Sequence, residues 1–343
     1  MLNKRKKKIL QAIVEEYVGT AEPVSSGNLL KKHKLDCSSA TIRNEMVELE
    51  QAGLLDKPHS SAGRVPSAQG YRFYVDELLK EDNLSLEEIE YIKSKLEDRV
   101  LEIDDFTKIV TNTLAEVTHY TSLAVGPDNA QQKIQEIKFV LLGSKILMAI
   151  ILTEAGLIKE TIIKFEKDIT ENQVLNIDQI FNKKLKGAYL SELEKPIEEY
   201  ILEEMESEAE ILKYILNQIN KAISEWKSTY LEGMSNVFDM PEFNEIDKAK
   251  NFLEIIDKKD FIDNVFPEGV AEDINVYIGS ETGNEQLKDY SIVTFKNTIE
   301  GKDMGVIGII GPTRMDYKKV ISVMKYISKQ LKNNENMEDW EIG

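Results

Sequence analysis

Two adjacent residues, Arg43 and Asn44, carry the side chains in this sequence that are best suited to contacting nucleic-acid bases. An arginine guanidinium donates two hydrogen bonds to guanine, and an asparagine amide matches the donor and acceptor of adenine. Three hydroxyl residues that can bind base edges or phosphate oxygens lie close by in the chain, namely Ser38, Ser39 and Thr41. This cluster therefore predicts contacts to double-stranded DNA.

The surrounding segment, SSATIRNEMVELEQAG (38–53), has the pattern of an amphipathic helix. Ile42, Met46 and Leu49 recur at i, i+4 and i+7 and should face a core, so that Asn44 points the opposite way. A serine at the start of the segment can cap the amide groups of the first turn, and those amides also favour a phosphate. The pattern predicts a helix that presents its polar first turns to DNA.

Two shorter patterns precede this helix. Residues 6–19 predict one helix, and Ser25 or Ser26 can cap a second one in which Leu29 and Leu30 face inward. The basic run at the start of the chain and the hydroxyls of the second helix can bind the DNA backbone. We expect phosphate contacts at Lys6, Ser25, Ser26 and Lys31.

A β-hairpin should follow the third helix. Residues 54–57 predict a short strand, and the chain returns in a second strand around Arg64 and Val65. Three helices followed by such a hairpin predict a winged helix-turn-helix, which places its last helix in the DNA major groove. We expect His59 and Ser60 at the wing tip, together with Arg64, to contact the DNA backbone or minor groove.

The charge distribution supports this interpretation. The chain has a net charge of −18, but its first 80 residues hold 13 Lys and Arg against 10 Asp and Glu, which leaves −21 on the remainder. DNA repels an acidic body and attracts a basic segment. The basic front of the molecule should therefore be the part that faces the duplex.

Several classes of function are disfavoured by the sequence. A single cysteine, Cys37, excludes an intrachain disulfide and favours a cytoplasmic location. The three histidines lack the spacing of metal ligands, and neither a catalytic motif nor a membrane-spanning apolar run occurs. Gly305, Gly308 and Gly311 indicate close packing in a strand rather than a phosphate loop. We expect no enzyme activity, cofactor, metal or membrane contact.

The rest of the chain predicts a multidomain α+β protein with antiparallel strands. A helix capped by Ser85 and Glu88 should be followed by a second helix capped by Asp104. The remaining elements are a strand meander within 134–165, a mostly helical block at 170–260, strands at 274–279, 291–295 and 304–310, and a helix from Tyr317 to Leu331. Strands before and after a helical block favour one α+β domain that is interrupted by an insertion.

An apolar stripe runs along the clearest helix of that block. Its members follow steps of three and four residues: Leu212, Ile215, Ile219, Ile223 and Trp226. Such a stripe is more often domain core than the seam of an oligomer, but both interpretations fit the spacing. We take the five residues as candidates for a dimer contact.

Three long stretches resemble one known family. EEYVGTAEPVSSGNLL, the segment from Ser38 to Asp76 and the distant IGIIGPTRMDY are similar to HrcA, the bacterial heat-inducible transcription repressors. The resemblance implies a winged helix at 1–80, a GAF-like domain at 81–168 and 267–343, and an inserted dimerisation domain at 169–266.

The resemblance also implies an activity. A homodimer of the family binds an inverted-repeat operator, CIRCE, ahead of chaperone and chaperonin operons, and the chaperonin GroEL promotes the active repressor. The DNA-reading helix then corresponds to Ser39–Ala52 and the wing to His59–Pro66. One departure lies in the second helix, where Gly27 occupies a position at which the family often has arginine.

Three other functions remain open at this stage. A winged-helix regulator could bind a small effector in its GAF-like domain, with Arg314 and Tyr317 as candidate contacts, although a domain or dimer contact explains these residues better. An enzyme with a DNA-binding head would need a catalytic set that the sequence lacks. An interaction scaffold would show no sequence preference on DNA.

Overall fold

The computed structural model describes residues 2–33, 35, 37–59, 63–80, 84–97, 103–126, 132–193, 197, 209–224, 226, 229–256, 266, 273–299 and 302–333. Its N-terminal part, which we call the head (residues 2–80), begins with three helices and a two-stranded antiparallel hairpin. These elements are α1 Lys4–Thr20, α2 Ser26–Lys32, α3 Ser39–Gln51, β1 Leu55–Asp56 and β2 Val65–Pro66. The sequence prediction of three helices and a hairpin is confirmed.

The apolar stripes of the helices form the core of the head. Ile42 and Leu49 of α3 are fully buried, as is Ile9 of α1, and Ser38 caps α3 by accepting a hydrogen bond from the Thr41 N–H. One detail differs from the prediction, because Leu30 of α2 is 41% exposed rather than turned inward. A helix of seven residues has room to bury one side only.

The head continues into α4 Ala68–Phe73 and a wider helical turn, Tyr74–Leu78, which join it to the rest of the molecule. Tyr71 and Tyr74 are buried in a hydrophobic cluster that also contains Tyr317 and Phe295 of the C-terminal part. The rings of Tyr71 and Tyr317 lie 5.7 Å apart between centroids. One continuous core therefore connects the head to the body.

The body is built around a five-stranded antiparallel sheet. Its strands are β3 Thr121–Val125, β7 Thr229–Glu232, β8 Asn275–Ile278, β9 Tyr290–Ile299 and β10 Lys302–Pro312, in the order β7-β3-β10-β9-β8. Helices α5 Leu86–Glu97, α6 Ile103–Thr118 and α10 Tyr317–Asn333 accompany them, and a short helix α9, Ile246–Ile256, belongs to a second apolar cluster beside the sheet. Short 3₁₀ turns lie at Leu190–Glu192, Met234–Asp239, Pro241–Phe243, Gly279–Thr282 and Glu285–Leu287.

A separate three-stranded antiparallel sheet interrupts this body between β3 and β7. It contains β4 Ile134–Gly143, β5 Ile146–Thr153 and β6 Ile158–Lys164, and two helices, α7 Glu171–Leu185 and α8 Ala209–Ser224, pack on it. The predicted meander is confirmed, but it forms a sheet of its own, although the sequence pattern favours one α+β domain that holds both the meander and the late strands. A boundary at residues 168 and 169 would divide a single hydrophobic core, since Ile163 and Ile177 belong to the same cluster.

The apolar stripe of α8 forms the interior of this inserted unit. Leu212, Ile215 and Ile219 are fully buried, Trp226 is 5% exposed, and Ile223 packs against the same cluster. Side chains that are covered by their own domain leave no surface for a second copy. The dimer seam assigned to these five residues is therefore corrected to domain core.

Other local expectations also change. The sequence pattern predicts that the helix with the apolar stripe continues through residues 229–232. These residues instead form the edge strand β7 and pair with β3. Asp104 lies inside α6 rather than capping it. Ser85 and Glu88 do form the predicted capping box, with hydrogen bonds of 2.8 Å and 3.2 Å.

The glycines of β10 pack closely, as the sequence predicts. Gly305 adopts a φ of +94°, and a Cβ atom there would lie 2.0 Å from the carbonyl oxygen of Val125. At Gly308 a Cβ atom would lie 2.5 Å from the ring of Phe266. Side chains at these two positions would push neighbouring elements apart. Close packing therefore explains the two glycines, and no phosphate-binding role is needed to explain them.

We expect the substitution Ile219→Ala to lower the free energy of unfolding by about 2–5 kcal/mol, because it leaves a cavity in the core of the inserted unit. Urea denaturation followed by circular dichroism measures this change. The matched control is Ile246→Ala, at a position that is 82% exposed, which should shift stability by about 0.5 kcal/mol or less. Equal effects of the two substitutions would contradict the assignment of Ile219 to the core.

Candidate nucleic-acid interface

Helix α3 presents Arg43 and Asn44 on its solvent-facing side. Both side chains are exposed, while Ile42, Met46 and Leu49 are buried on the opposite side. Among the residues that the structure describes, Arg43 forms no ion pair, so its guanidinium is available to a ligand. The helix thus offers a cation and an amide to the outside, next to each other.

The hydroxyl groups near the start of α3 already form a small hydrogen-bond network. The Ser38 Oγ lies 3.0 Å from the Thr41 Oγ1, and the Ser39 hydroxyl donates to the Ser26 Oγ at 3.1 Å. Ser25 caps α2 by accepting from the Asn28 N–H at 3.2 Å. The network joins the N-termini of α2 and α3, so the serines have a structural role in addition to the predicted DNA contacts.

Three basic residues of the head are paired with carboxylates of α3. The pairs are Arg5 with Glu45, Lys6 with Glu48 and Arg64 with Glu50. The Arg64 Nε–Glu50 Oε2 distance is 2.8 Å, and the Lys6 Nζ–Glu48 Oε2 distance is 2.5 Å. The hydrogen bond with Glu48 raises the pKa of Lys6. Lys6 and Arg64 are thus engaged within the head, although the sequence suggests them for DNA.

Two further candidate residues of the head are exposed to solvent. His59 and Lys31 are exposed, and no ion pair of Lys31 occurs among the described residues. Ser60, at the expected wing tip, lies outside the described residues. The structure therefore brings Arg43, Asn44 and the serines together, while Arg64 is held against α3 by its carboxylate partner.

Arg72 fixes the head to the five-stranded sheet. Its Nε donates to Glu281 at 3.0 Å, and its Nη2 donates to the Val276 carbonyl oxygen at 2.5 Å. Burial alone would raise the pKa of the Glu281 carboxyl, but hydrogen bonds from Arg72 and the Ile278 N–H lower it below its ordinary value. The carboxylate is therefore held in its charged form against the head.

A second arginine joins the head to the body from the other direction. Arg314 donates from Nη1 to the Val18 carbonyl oxygen of α1 at 2.7 Å and from Nη2 to Glu242 at 3.0 Å. The Tyr317 hydroxyl donates to the Thr313 carbonyl oxygen at 2.6 Å, and it lies 2.7 Å from the Ser291 Oγ. The interpretation of these residues as a domain contact fits this geometry, because their polar groups are already engaged inside the molecule.

The sequence offers no signal for the anchor that Arg72 forms. Arg72 and Glu281 are 209 residues apart, and each belongs to a chain segment rich in other charges.

Within the described ranges, no group of three or more His, Cys, Asp or Glu residues is placed to hold a metal ion. Nor does any helix in those ranges combine the length and apolar character that a bilayer span requires.

Comparison with known proteins assigns the chain to a family. The family model "HrcA protein C terminal domain" matches residues 104–321, which include the inserted unit and all five strands of the larger sheet. The chain belongs to the HrcA family. The resemblance that the sequence motifs indicate is therefore confirmed, and it extends well beyond the head.

Curated HrcA relatives match over nearly their whole length. The heat-inducible transcription repressor HrcA of Ruminiclostridium cellulolyticum is 39% identical over 336 residues, covering 96% of this chain and 97% of the relative. The repressor of the same name from Acetivibrio thermocellus is 36% identical, with 97% and 96% covered. Family membership makes the chain a transcription repressor and excludes the enzyme alternative.

A solved structure also matches the whole HrcA-family chain. It is described as a hypothetical protein at 2.2 Å resolution, shares 25% sequence identity and has a TM-score of 0.67. The match covers 98% of this chain and 99% of that structure. The arrangement of mixed helices and antiparallel sheets is thus found in a second protein of similar length.

We expect Glu281→Gln to lower the thermal unfolding temperature at neutral pH, because it removes the charge that holds Arg72. The folded-state pKa of Glu281 is lowered, so its contribution is present above the ordinary carboxyl pKa and is lost as pH falls through the folded-state value. The difference in unfolding temperature between wild type and variant should therefore narrow below about pH 4. A difference that is constant from pH 7 to pH 3 would contradict this role.

Proposed function

We propose that this chain is a DNA-binding repressor of heat-shock operons that recognises an inverted repeat as a homodimer. The observation that carries the proposal is the exposure of Arg43 and Asn44 side by side on α3, opposite its buried face. Three helices followed by a two-stranded hairpin are the arrangement of a winged helix, in which the third helix enters the major groove. Family membership supplies the context of heat-inducible transcription.

The dimensions of α3 suit a major groove. Its 13 residues extend about 20 Å, and a B-DNA major groove about 12 Å wide accepts a helix along this length. Arg43 can donate two hydrogen bonds to a guanine, and Asn44 can form two with an adenine. The N-terminal amides of α3 lie at the same end and favour a nearby phosphate.

The cations of the head that are paired with carboxylates could also contact DNA in the proposed complex. Arg64 and Lys6 face carboxylates of α3, and a DNA phosphate near them would compete with those carboxylates. Lys31 and Arg43 are exposed without such a partner among the described residues. Binding should fall steeply with salt, since each neutralised phosphate releases counterions.

An exposed sheet face supports the homodimer. The side of the β4–β6 sheet that faces away from α7 and α8 carries a line of apolar residues, with Val140, Met148 and Ile162 directly across from one another. Ile162 is 57% exposed and Ile158 is 53% exposed. The same face also carries Leu142, Ile146, Ile150 and Leu152, and Lys138 and Glu160 lie on either side of Ile150.

A contiguous apolar patch of this kind is typical of a protein–protein contact. A two-fold axis through the patch would pair the same face of two copies and would give two heads for two half-sites. The dimer contact thus moves from the buried stripe of α8 to the opposite side of the same domain.

The finer parts of the proposed regulation rest on family membership. We take the operator to be the CIRCE inverted repeat and the chaperonin GroEL to be the partner that promotes the active state. The five-stranded sheet with its flanking helices then corresponds to the GAF-like domain and the three-stranded unit to the inserted dimerisation domain. The acidic body, at −21, is repelled by the duplex and keeps the contact confined to the heads.

We expect Arg43→Ala and Asn44→Ala each to lower the preference for operator over scrambled DNA by about 10-fold or more, because a bidentate base contact contributes about 1–3 kcal/mol of discrimination. Gel-shift titration of the full chain on an inverted-repeat duplex from the organism's own chaperonin promoter measures this preference. The control, Lys250→Ala, changes an exposed lysine of α9, outside the head and outside the inserted unit, and should leave the preference unchanged. Full discrimination by both head variants would remove the basis of the proposal.

We expect Ile162→Asp to convert a dimer to a monomer at micromolar concentration, because two aspartates would be buried at the centre of the proposed contact. Sedimentation velocity measures the assembly state, and circular dichroism verifies the fold. Ile246→Asp introduces the same charge at another exposed position and should leave the dimer intact. A dimer that persists in Ile162→Asp would place the contact elsewhere.

A further inference from the structure

Val47 is an apolar residue in the middle of the exposed side of α3. Val47 is 37% exposed, whereas Met46 immediately before it and Leu49 two residues after it are buried. Val47 follows Asn44 by three residues and Arg43 by four, so it lies one turn further along the same side of the helix. It is the single β-branched apolar residue between Ile42 and the end of α3.

The fold of the head gives no reason for valine at this position. The hydrophobic cluster that contains Ile42, Met46 and Leu49 does not include Val47. Valine is also a weaker helix former than the charged and long polar residues that occupy the neighbouring exposed positions. Its side chain contributes an apolar surface that the isolated chain leaves in water.

We infer that Val47 contacts the C5-methyl group of a thymine in the operator. This inference rests on the proposed function, because it requires α3 to lie in the major groove. Thymine is the one DNA base whose major-groove edge carries a methyl group, and apolar side chains recognise it by contact. Arg43 and Asn44 would then select bases by hydrogen bonds and Val47 by an apolar contact.

The position of that thymine follows from the helix geometry. Four residues along an α-helix correspond to about 6 Å, and base pairs are spaced about 3.4 Å apart along each strand. With α3 lying along the groove, the thymine should be one or two base pairs from those contacted by Arg43 and Asn44. Each half of the inverted repeat should contain one such thymine.

The experiment replaces thymine by deoxyuridine, which removes the methyl group and preserves base pairing. Affinities of the full chain are measured on the chaperonin-promoter duplex and on duplexes with deoxyuridine at single symmetric positions of the repeat. Wild type should bind about fourfold more weakly for each recognised methyl group that is removed, which is about 0.8 kcal/mol at 1.4 kcal/mol per tenfold change. Val47→Ala, whose side chain is shorter by two carbons, should bring the affinities for the thymine and deoxyuridine duplexes closer together.

The matched control is Leu86→Ala, which shortens another exposed apolar side chain, outside the head. Its ratio of affinities for the thymine and deoxyuridine duplexes should equal that of the wild type. Equal binding of both duplexes by wild type at every position overturns the inference, as does an unchanged ratio in Val47→Ala. Failure of wild type to prefer the operator over scrambled DNA is a different result, since it overturns the proposed function itself.

Discussion

The amphipathic packing of α3 is the constraint on which the rest of the proposed DNA interface depends. Its Ile42 and Leu49 side chains are fully buried in the head, and Glu45 on the same side is bound by Arg5 of α1. These contacts fix the rotation of the helix about its own axis. Because the buried side of α3 must face the core of the head, the opposite side, which carries Arg43, Asn44 and Val47, faces the solvent.

The connection between head and body transmits this orientation to the whole molecule. Arg72 binds Glu281 and the Val276 carbonyl oxygen across the junction, and Arg314, which is paired with Glu242 inside the body, binds the Val18 carbonyl oxygen of the head. The ring of Tyr71 packs on that of Tyr317. Charge-assisted hydrogen bonds of this kind are directional, and the shared apolar core excludes water around them. In a dimer the spacing of two heads would then be determined by the bodies, as recognition of two half-sites requires.

Much of the local structure could be predicted from the sequence, whereas its long-range pairing could not. The stripe of α3 and its Ser38 cap depend on neighbours within four residues, so the helix and its exposed side are visible in the pattern. The division of the strands between two sheets depends on partners far apart in the chain, so the pattern that groups β4–β6 with the late strands in one domain does not reveal their separate sheet. The same reason explains why the stripe of α8 could be taken for a dimer contact. A sequence pattern reveals the apolar side of a helix but not which surface covers that side.

The candidate site shows the same division. Residue type and helical position identify Arg43 and Asn44, but they do not identify which cations are engaged by neighbouring carboxylates. Glu48 and Glu50 have no special spacing relative to Lys6 and Arg64 in the sequence. Val47 escapes a search that considers polar groups only, because its significance comes from exposure in the folded helix.

The carboxylates of α3 have a kinetic consequence for a protein that must locate a few sites in a genome. Non-specific affinity comes almost entirely from cations that neutralise phosphates, and Glu45, Glu48 and Glu50 each occupy one such cation. In the proposed complex, a random sequence that offers no base contacts would then hold the head weakly and release it soon. Short residence on wrong sequences shortens the search, so acidic residues beside the reading side chains would hasten arrival at the operator.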